Sequence, residues 1–215
     1  MRVRTSCLIA WSLVALVAGT SQAAETYLLK GKKIVLATPP SGSANNKLVY
    51  LAKIEDLVLE APNAPDEDPR CAPDGTGTAS LSVFGDSDSF TIDLGGANCS
   101  NWSRNGAGNV YKYKDTTGAT CKIVIIKDGK LVKAVCKGPQ VDFALGGAQP
   151  FLDVVLSTGS SEQQYCSSFA EIAGCNVKKD GSNGKAYIAT NCPSIYPCGG
   201  PGSPSGAFLN GEFQF

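Results

Sequence analysis

The chain has no histidine, and this absence removes a large share of enzyme chemistry. Without imidazole there is no Ser–His or Cys–His nucleophilic pair, no histidine metal ligand and no ring base titrating near neutral pH. Tryptophan is scarce as well: there are two, Trp11 and Trp102, few for a cleft that stacks sugars. No Cys-x-x-Cys spacing occurs, which argues against structural zinc. There is no P-loop and no Gly-x-Gly-x-x-Gly after a strand, and the Gly/Ser cluster at Gly202–Gly206 does not form a Gly-x-Ser-x-Gly elbow. The lysines are scattered along the chain (Lys30, Lys53, Lys112, Lys133, Lys178) in a sequence with 19 basic and 19 acidic residues. A near-neutral chain without a basic block leaves no footprint for nucleic acid, which is therefore not an expected partner.

The longest uncharged apolar run is Cys7–Gly19. Arg2 and Arg4 precede it, and Ser21-Gln22-Ala23 follows with small residues where a signal peptidase reads. Residues 1–23 are thus read as a signal peptide and not as a span, because the run is shorter than a bilayer crossing needs. No second stretch is long enough to span, so no transmembrane segment is expected. The location expected is secreted or periplasmic. Residues 24–198 read as a single β domain, and 199–215 as a flexible Gly/Pro/Ser tail.

Cys7 leaves with the signal, and an even set remains: Cys71, Cys99, Cys121, Cys136, Cys166, Cys175, Cys192 and Cys198. In an exported protein an even set reads as a disulfide framework. One pair follows from register. Cys121–Lys127 and Lys130–Lys137 are β-rich runs around Asp128-Gly129, a favoured two-residue hairpin turn. That turn puts Cys121 opposite Cys136, with Ile123 opposite Ala134 and Ile125 opposite Val132 on the same face. Proximity suggests Cys166–Cys175 and Cys192–Cys198, leaving Cys71–Cys99 as a longer staple.

Period-two patterns predict strands over 27–37, 47–53, 56–61, 78–84, 89–94, 109–115, 121–127, 130–137, 140–145, 151–157 and 185–190. Turn clusters such as Pro39-Pro40-Ser41-Gly42 and Gly85-Asp86-Ser87-Asp88 separate them. Many short strands at such spacing indicate an all-β, disulfide-stapled antiparallel β-sandwich, with a barrel as the alternative. The one helical pattern covers Ser161–Gly174, with Tyr165, Phe169 and Ile172 at i, i+4 and i+7; a strand over Gln163–Ser167 is the competing reading.

The surviving chemistry is that of carboxylates. Glu55, Glu60, Asp93, Asp142 and Asp153 lie on predicted strands, and a glycosidase needs two carboxyls facing across the scissile bond. Outward-facing residues of alternating strands are the plainer reading, so no catalytic residue is assigned. Asp66 and Asp68 (with Asp74), and Asp86 with Asp88, place hard oxygen ligands on loops, where calcium binds in exported β proteins. Calcium is the one cofactor considered, and neither stretch has the twelve-residue EF-hand pattern. Trp102, Tyr111 and Tyr113 would form an aromatic ligand-binding face unless they are core. Asn98-Cys-Ser100 and Asn101-Trp-Ser103 fit the N-glycosylation acceptor pattern.

Tyr111-Lys-Tyr-Lys-Asp115, Lys127-Asp-Gly-Lys-Leu131 and Cys136-Lys-Gly138 resemble recurring hairpin pieces of exported, β-rich, cysteine-containing bacterial proteins of unknown function. The resemblance implies a bacterial periplasmic or extracellular setting and carries over no functional residue. The expectation is an exported non-catalytic binding or structural surface protein with an unknown extracellular ligand or surface partner. The alternatives are a carboxylate-based extracellular hydrolase acting on polysaccharide, and a secreted inhibitor presenting a Cys192–Cys198 loop.

Overall fold

The computed structural model describes residues 26–54, 60–62, 64–73, 77–86, 88–160 and 163–194. The expected signal peptide and C-terminal tail, and most of the strand expected over 56–61, lie outside the described residues. Among them run β1 (Thr26–Leu28), β2 (Lys30–Ala37), β3 (Lys47–Lys53), β4 (Ala79–Gly85), β5 (Ser89–Asp93), β6 (Trp102–Arg104), β7 (Val110–Tyr113), β8 (Cys121–Lys127), β9 (Leu131–Lys137), β10 (Phe151–Thr158), β11 (Gln163–Ala170), β12 (Asn176–Asp180) and β13 (Ala186–Cys192). Five form a sheet in the order β1-β11-β10-β4-β5, and eight form a second in the order β12-β13-β2-β3-β9-β8-β7-β6. Each order has two ends, so neither sheet closes into a barrel and the β-sandwich reading holds. One pair departs from the antiparallel expectation: β1 runs parallel to β11.

Alternation builds the shared core. In β3, Leu48, Tyr50 and Ala52 are buried while Lys47, Val49, Leu51 and Lys53 face away. In β9, Val132, Ala134 and Cys136 point inward in the same rhythm. The contact between sheets centres on Phe169 of β11. Its ring stands edge-on to Tyr50 at 6.2 Å and lies over Gly31 of β2, where an added Cβ would come within 2.6 Å of the ring. The Phe169 carbonyl accepts the Tyr187 hydroxyl at 2.6 Å, and Tyr50 shares a hydrogen bond with Ser167 at 2.8 Å. Burial pushes the Tyr50 hydroxyl well above its ordinary range, which keeps it neutral in the core.

The helix expected over 161–174 is strand β11. Positions 165 and 169 fit both a helical i, i+4 pattern and a period of two. Pairing along the whole of β10, from Phe151↔Ala170 to Thr158↔Gln163, decides for the strand. The run at 140–145 keeps the expected alternation, with Val141, Phe143 and Leu145 buried and Asp142 and Ala144 exposed, but it joins no ladder. Strands β6 and β12 escaped sequence reading because both are short and polar.

The β8–β9 hairpin keeps its cysteine pair by a different route from the one expected. Pairing nearest the turn is Lys127↔Leu131, so the loop is Asp128-Gly129-Lys130 with Gly129 at φ 59°. A bulge at Lys122 then restores Cys121 opposite Cys136, and the two are bonded. The one-residue shift reverses the faces expected for this strand. Val124 and Ile126 point into the core, and Ile123 and Ile125 stand half-buried on the outer face. Cys71 bonds Cys99, and Cys175 bonds Cys192. The second of these replaces the expected Cys166–Cys175 and Cys192–Cys198 pairs, because β12 and β13 form a hairpin that brings its two ends together. Cys166 is also disulfide-bonded, to a partner outside the described residues. No helix among the described residues is long and apolar enough to cross a membrane.

Candidate functional site

The two sheets differ in charge. The strands of the five-stranded sheet hold no lysine or arginine and two acids, Asp93 and Asp153. The strands of the eight-stranded sheet hold 13 basic residues and a single acid, Asp180 at the end of β12. The remaining lysines flank those strands: Lys114 after β7, Lys130 in the β8–β9 turn and Lys185 before β13. Lysines that are dispersed in sequence and form no basic block there are thus gathered on one layer.

Cross-strand register arranges this outer face in rows. One row is apolar and half-buried: Ile188, Val35, Val49, Val135 and Ile123, running from β13 to β8. Beside it runs Thr190, Lys33, Leu51, Lys133, Ile125, Lys112 and Ser103, across seven strands. Next comes Lys30, Lys53, Leu131, Lys127 and Val110. On the far side of the apolar row, Lys47 stands directly opposite Lys137. Like charges in opposed positions destabilise a sheet, so an anion laid over this face would relieve repulsion as well as gain contacts.

A groove of about 670 Å³ opens at the β7–β8 end of this face. It is lined by Lys112, Lys114, Lys122 and Lys137 together with threonines of the 116–120 turn, Ile123 and Pro139. Asp115 builds the turn. Its carboxylate accepts the Thr117 amide at 2.7 Å and hydroxyl at 2.6 Å, and the Thr120 amide at 2.8 Å and hydroxyl at 2.9 Å. Asp115 is buried, and desolvation opposes its charge, but these four donors outweigh it and hold the carboxyl well below the usual carboxylate range. A carboxyl lowered on folding stabilises above its unfolded value, and the contribution is lost as pH falls through the folded value. Asp115→Asn is therefore expected to destabilise the protein by about 2 kcal/mol near neutral pH. The gap from wild type should close as the pH is taken from about 4 toward 2 in paired thermal melts. A gap that stays constant with pH would mean that the carboxylate charge does not organise the turn.

The aromatic residues considered for a ligand face are core. Trp102 is 5% exposed, and Tyr111 and Tyr113 are 0% exposed. Their side chains are bonded within the fold. Trp102 Nε1 donates to the Leu94 carbonyl at 2.9 Å, and Tyr113 bonds the Thr120 hydroxyl. The Arg70 and Arg104 guanidiniums lie 5.9 and 5.2 Å from the Tyr111 ring centre. The Tyr111 hydroxyl donates to Asp68 at 3.2 Å, and burial, then the Asp68 charge, pushes it up to about 12.

That network also answers the calcium reading at Asp68. Its carboxylate binds Arg70 at 2.7 Å, and although burial opposes its charge, Arg70 holds the group below its ordinary range. The arginine already supplies the countercharge that calcium would bring. Asp66 lies exposed two residues away, its carbonyl accepting the Ser160 hydroxyl at 3.4 Å. Asp86 is exposed at the β4–β5 turn, while Asp88 accepts the amides of Ser89 and Ala144. Among the described residues no three His, Cys, Asp or Glu side chains gather as a metal site.

The carboxylates considered for hydrolysis lie on separate elements. Asp153 is buried in β10, and Asp93 ends β5 and accepts the Gly95 amide at 2.9 Å. Asp142 is exposed in the 140–145 run and Glu60 is exposed beyond β3; Glu55 lies outside the described residues. Asn98 and Asn101 of the two glycosylation patterns are half-buried, and their amides donate to the Asp93 carbonyl and the Tyr113 hydroxyl. With Cys192 bonded to Cys175, the expected inhibitory Cys192–Cys198 loop is not closed. No protein-family model matches the chain, and comparisons with curated proteins and with solved structures find no match either.

Proposed function

We propose that this is an exported, non-catalytic binding protein whose contact surface is the lysine-bearing outer face of the eight-stranded sheet. The observation that supports the reading is the segregation of charge: 13 basic residues and one acid on the strands of one layer, in a chain whose total charge balances. Random scatter over two sheets would not leave one of them without a lysine. Cations presented on a rigid sheet, with the groove at one end, suit an extended anionic partner, attracted at long range and held by many weak contacts. Export and an oxidising compartment are part of the same reading. They are supported by the N-terminal apolar run and by the disulfides Cys71–Cys99, Cys121–Cys136 and Cys175–Cys192.

The test is retention of the purified protein on an immobilised polyuronate across a salt gradient. The expected result is retention at about 50 mM salt and release before about 500 mM, because exposed charge contacts are screened over a shortening Debye length. Passage without retention at low salt would reject the reading.

A further inference from the structure

The row pattern narrows the partner. Resting on the binding role proposed above, we infer that the face takes a linear polysaccharide carrying one anionic group per disaccharide, laid across the strands along Lys33, Lys133 and Lys112. These lysines occupy alternate strands of a single row, β2, β9 and β7, with Leu51 and Ile125 between them on β3 and β8. At a strand spacing of about 4.8 Å, the cations recur roughly every 10 Å and the three span about 19 Å.

A partner that matches this row has single negative charges separated by neutral, partly apolar surface. An alternating glycan of acidic and neutral sugars has that design. Its carboxylates or sulfates meet the ammonium groups, and the C–H faces of the intervening rings lie on Leu51 and Ile125. Both side chains are half-buried, so they offer a shallow platform of the kind a ring covers. The parallel apolar row Ile188, Val35, Val49, Val135 and Ile123 gives the neutral sugars a second strip. Ser103 and Thr190 at the two ends of the lysine row add hydroxyls for hydrogen bonds with sugar.

Two other polyanions fit less well. Single-stranded nucleic acid is held by bases stacked on aromatic side chains, and none of these rows contains one. A bilayer surface is gripped by apolar side chains that insert below the headgroups, usually with aromatic anchors. Here the apolar side chains are short and half-buried on a sheet.

The test compares equilibrium binding of the intact exported protein to four probes at fixed salt. They are a hyaluronan oligosaccharide (one carboxylate per disaccharide), a polygalacturonate oligosaccharide of equal length (one per sugar), a single-stranded oligonucleotide, and vesicles containing phosphatidylglycerol. Two variants of equal charge change accompany wild type: Lys33→Gln/Lys133→Gln/Lys112→Gln in the row, of which Lys112 also borders the groove, and Lys114→Gln/Lys122→Gln/Lys137→Gln confined to the groove. All six positions are on the outer face or its turns, and a melting midpoint near wild type certifies each variant. The expected result is that hyaluronan binds at least as tightly as polygalacturonate despite half the charge density. The row variant should weaken it roughly 100-fold, at about fivefold per lysine, and the groove variant less than tenfold. Tighter binding of polygalacturonate, the oligonucleotide or vesicles, or equal losses in both variants, would overturn this inference and leave the binding role standing. Failure of all four probes to bind would overturn both.

Discussion

Phe169→Ala is expected to destabilise the protein by about 3–5 kcal/mol, the usual cost of truncating a buried phenylalanine. The ring is 0% exposed. It fills the space between the sheets against Tyr50 and the bare backbone of Gly31. Neither neighbour can move to fill the gap, because Tyr50 is held by Ser167 and β2 is paired on both sides. For a chain of this size the loss corresponds to a drop of roughly 6–20 °C in melting midpoint. Phe151→Ala, at a half-buried position of the neighbouring strand, is the comparison and should cost clearly less. Equal costs at the two positions would show that the sheets are not held together at Phe169.

Cys121→Ala with Cys136→Ala should be nearly as damaging, at about 2–5 kcal/mol. The bond closes a 15-residue separation, so its loss frees the unfolded chain by an amount that the loop-entropy account puts near 3 kcal/mol. Both cysteines are fully buried in the hydrophobic core, and their truncation adds a void between the sheets. Chemical denaturation of the double variant against wild type, both oxidised, gives the difference directly. A cost below about 1 kcal/mol would mean that the hairpin ladder alone holds β8 to β9. The Cys175–Cys192 bond ties the edge strand β12 to β13, with Cys192 buried in the same core and Cys175 packed against it; its loss should fray the edge.

Local sequence carried the strand content and one disulfide, Cys121–Cys136; Cys71–Cys99 follows only as the remainder of proximity pairs that the structure rejects. Exact strands emerged where lysine or cysteine punctuates an apolar alternation, as at Lys47–Lys53 and Cys121–Lys127. The hairpin pair Cys121–Cys136 was legible from the turn, but the bulge at Lys122 was not, since a bulge answers to packing on both faces and leaves no composition signal. Helix and strand periods coincide at Tyr165 and Phe169, so only the long-range partner β10 could decide there. The basic face was hidden for a related reason. Lys33, Lys133 and Lys112 are remote in sequence and fall in one row through the pairings of β2 with β3, β3 with β9, β9 with β8 and β8 with β7. The pairing of β3 with β9 joins residues about ninety apart, as Lys47↔Lys137 does, and no local pattern announces it. Tyr111 and Tyr113 had the opposite fate: they read equally well as a ligand face or as core, and the inward turn of β7 made them core.

The most direct test of the basic face is residue-resolved mapping of the contact. Isotope-labelled protein would be titrated with a soluble polyuronate while amide resonances are followed by NMR. Shifts are expected to concentrate at Lys33, Lys47, Lys112, Lys133 and Lys137 and the residues beside them on β2, β3, β7 and β9, with β4, β5 and β10 unmoved. Shifts concentrated on the five-stranded sheet, or around Asp68 and Arg70, would contradict this expectation.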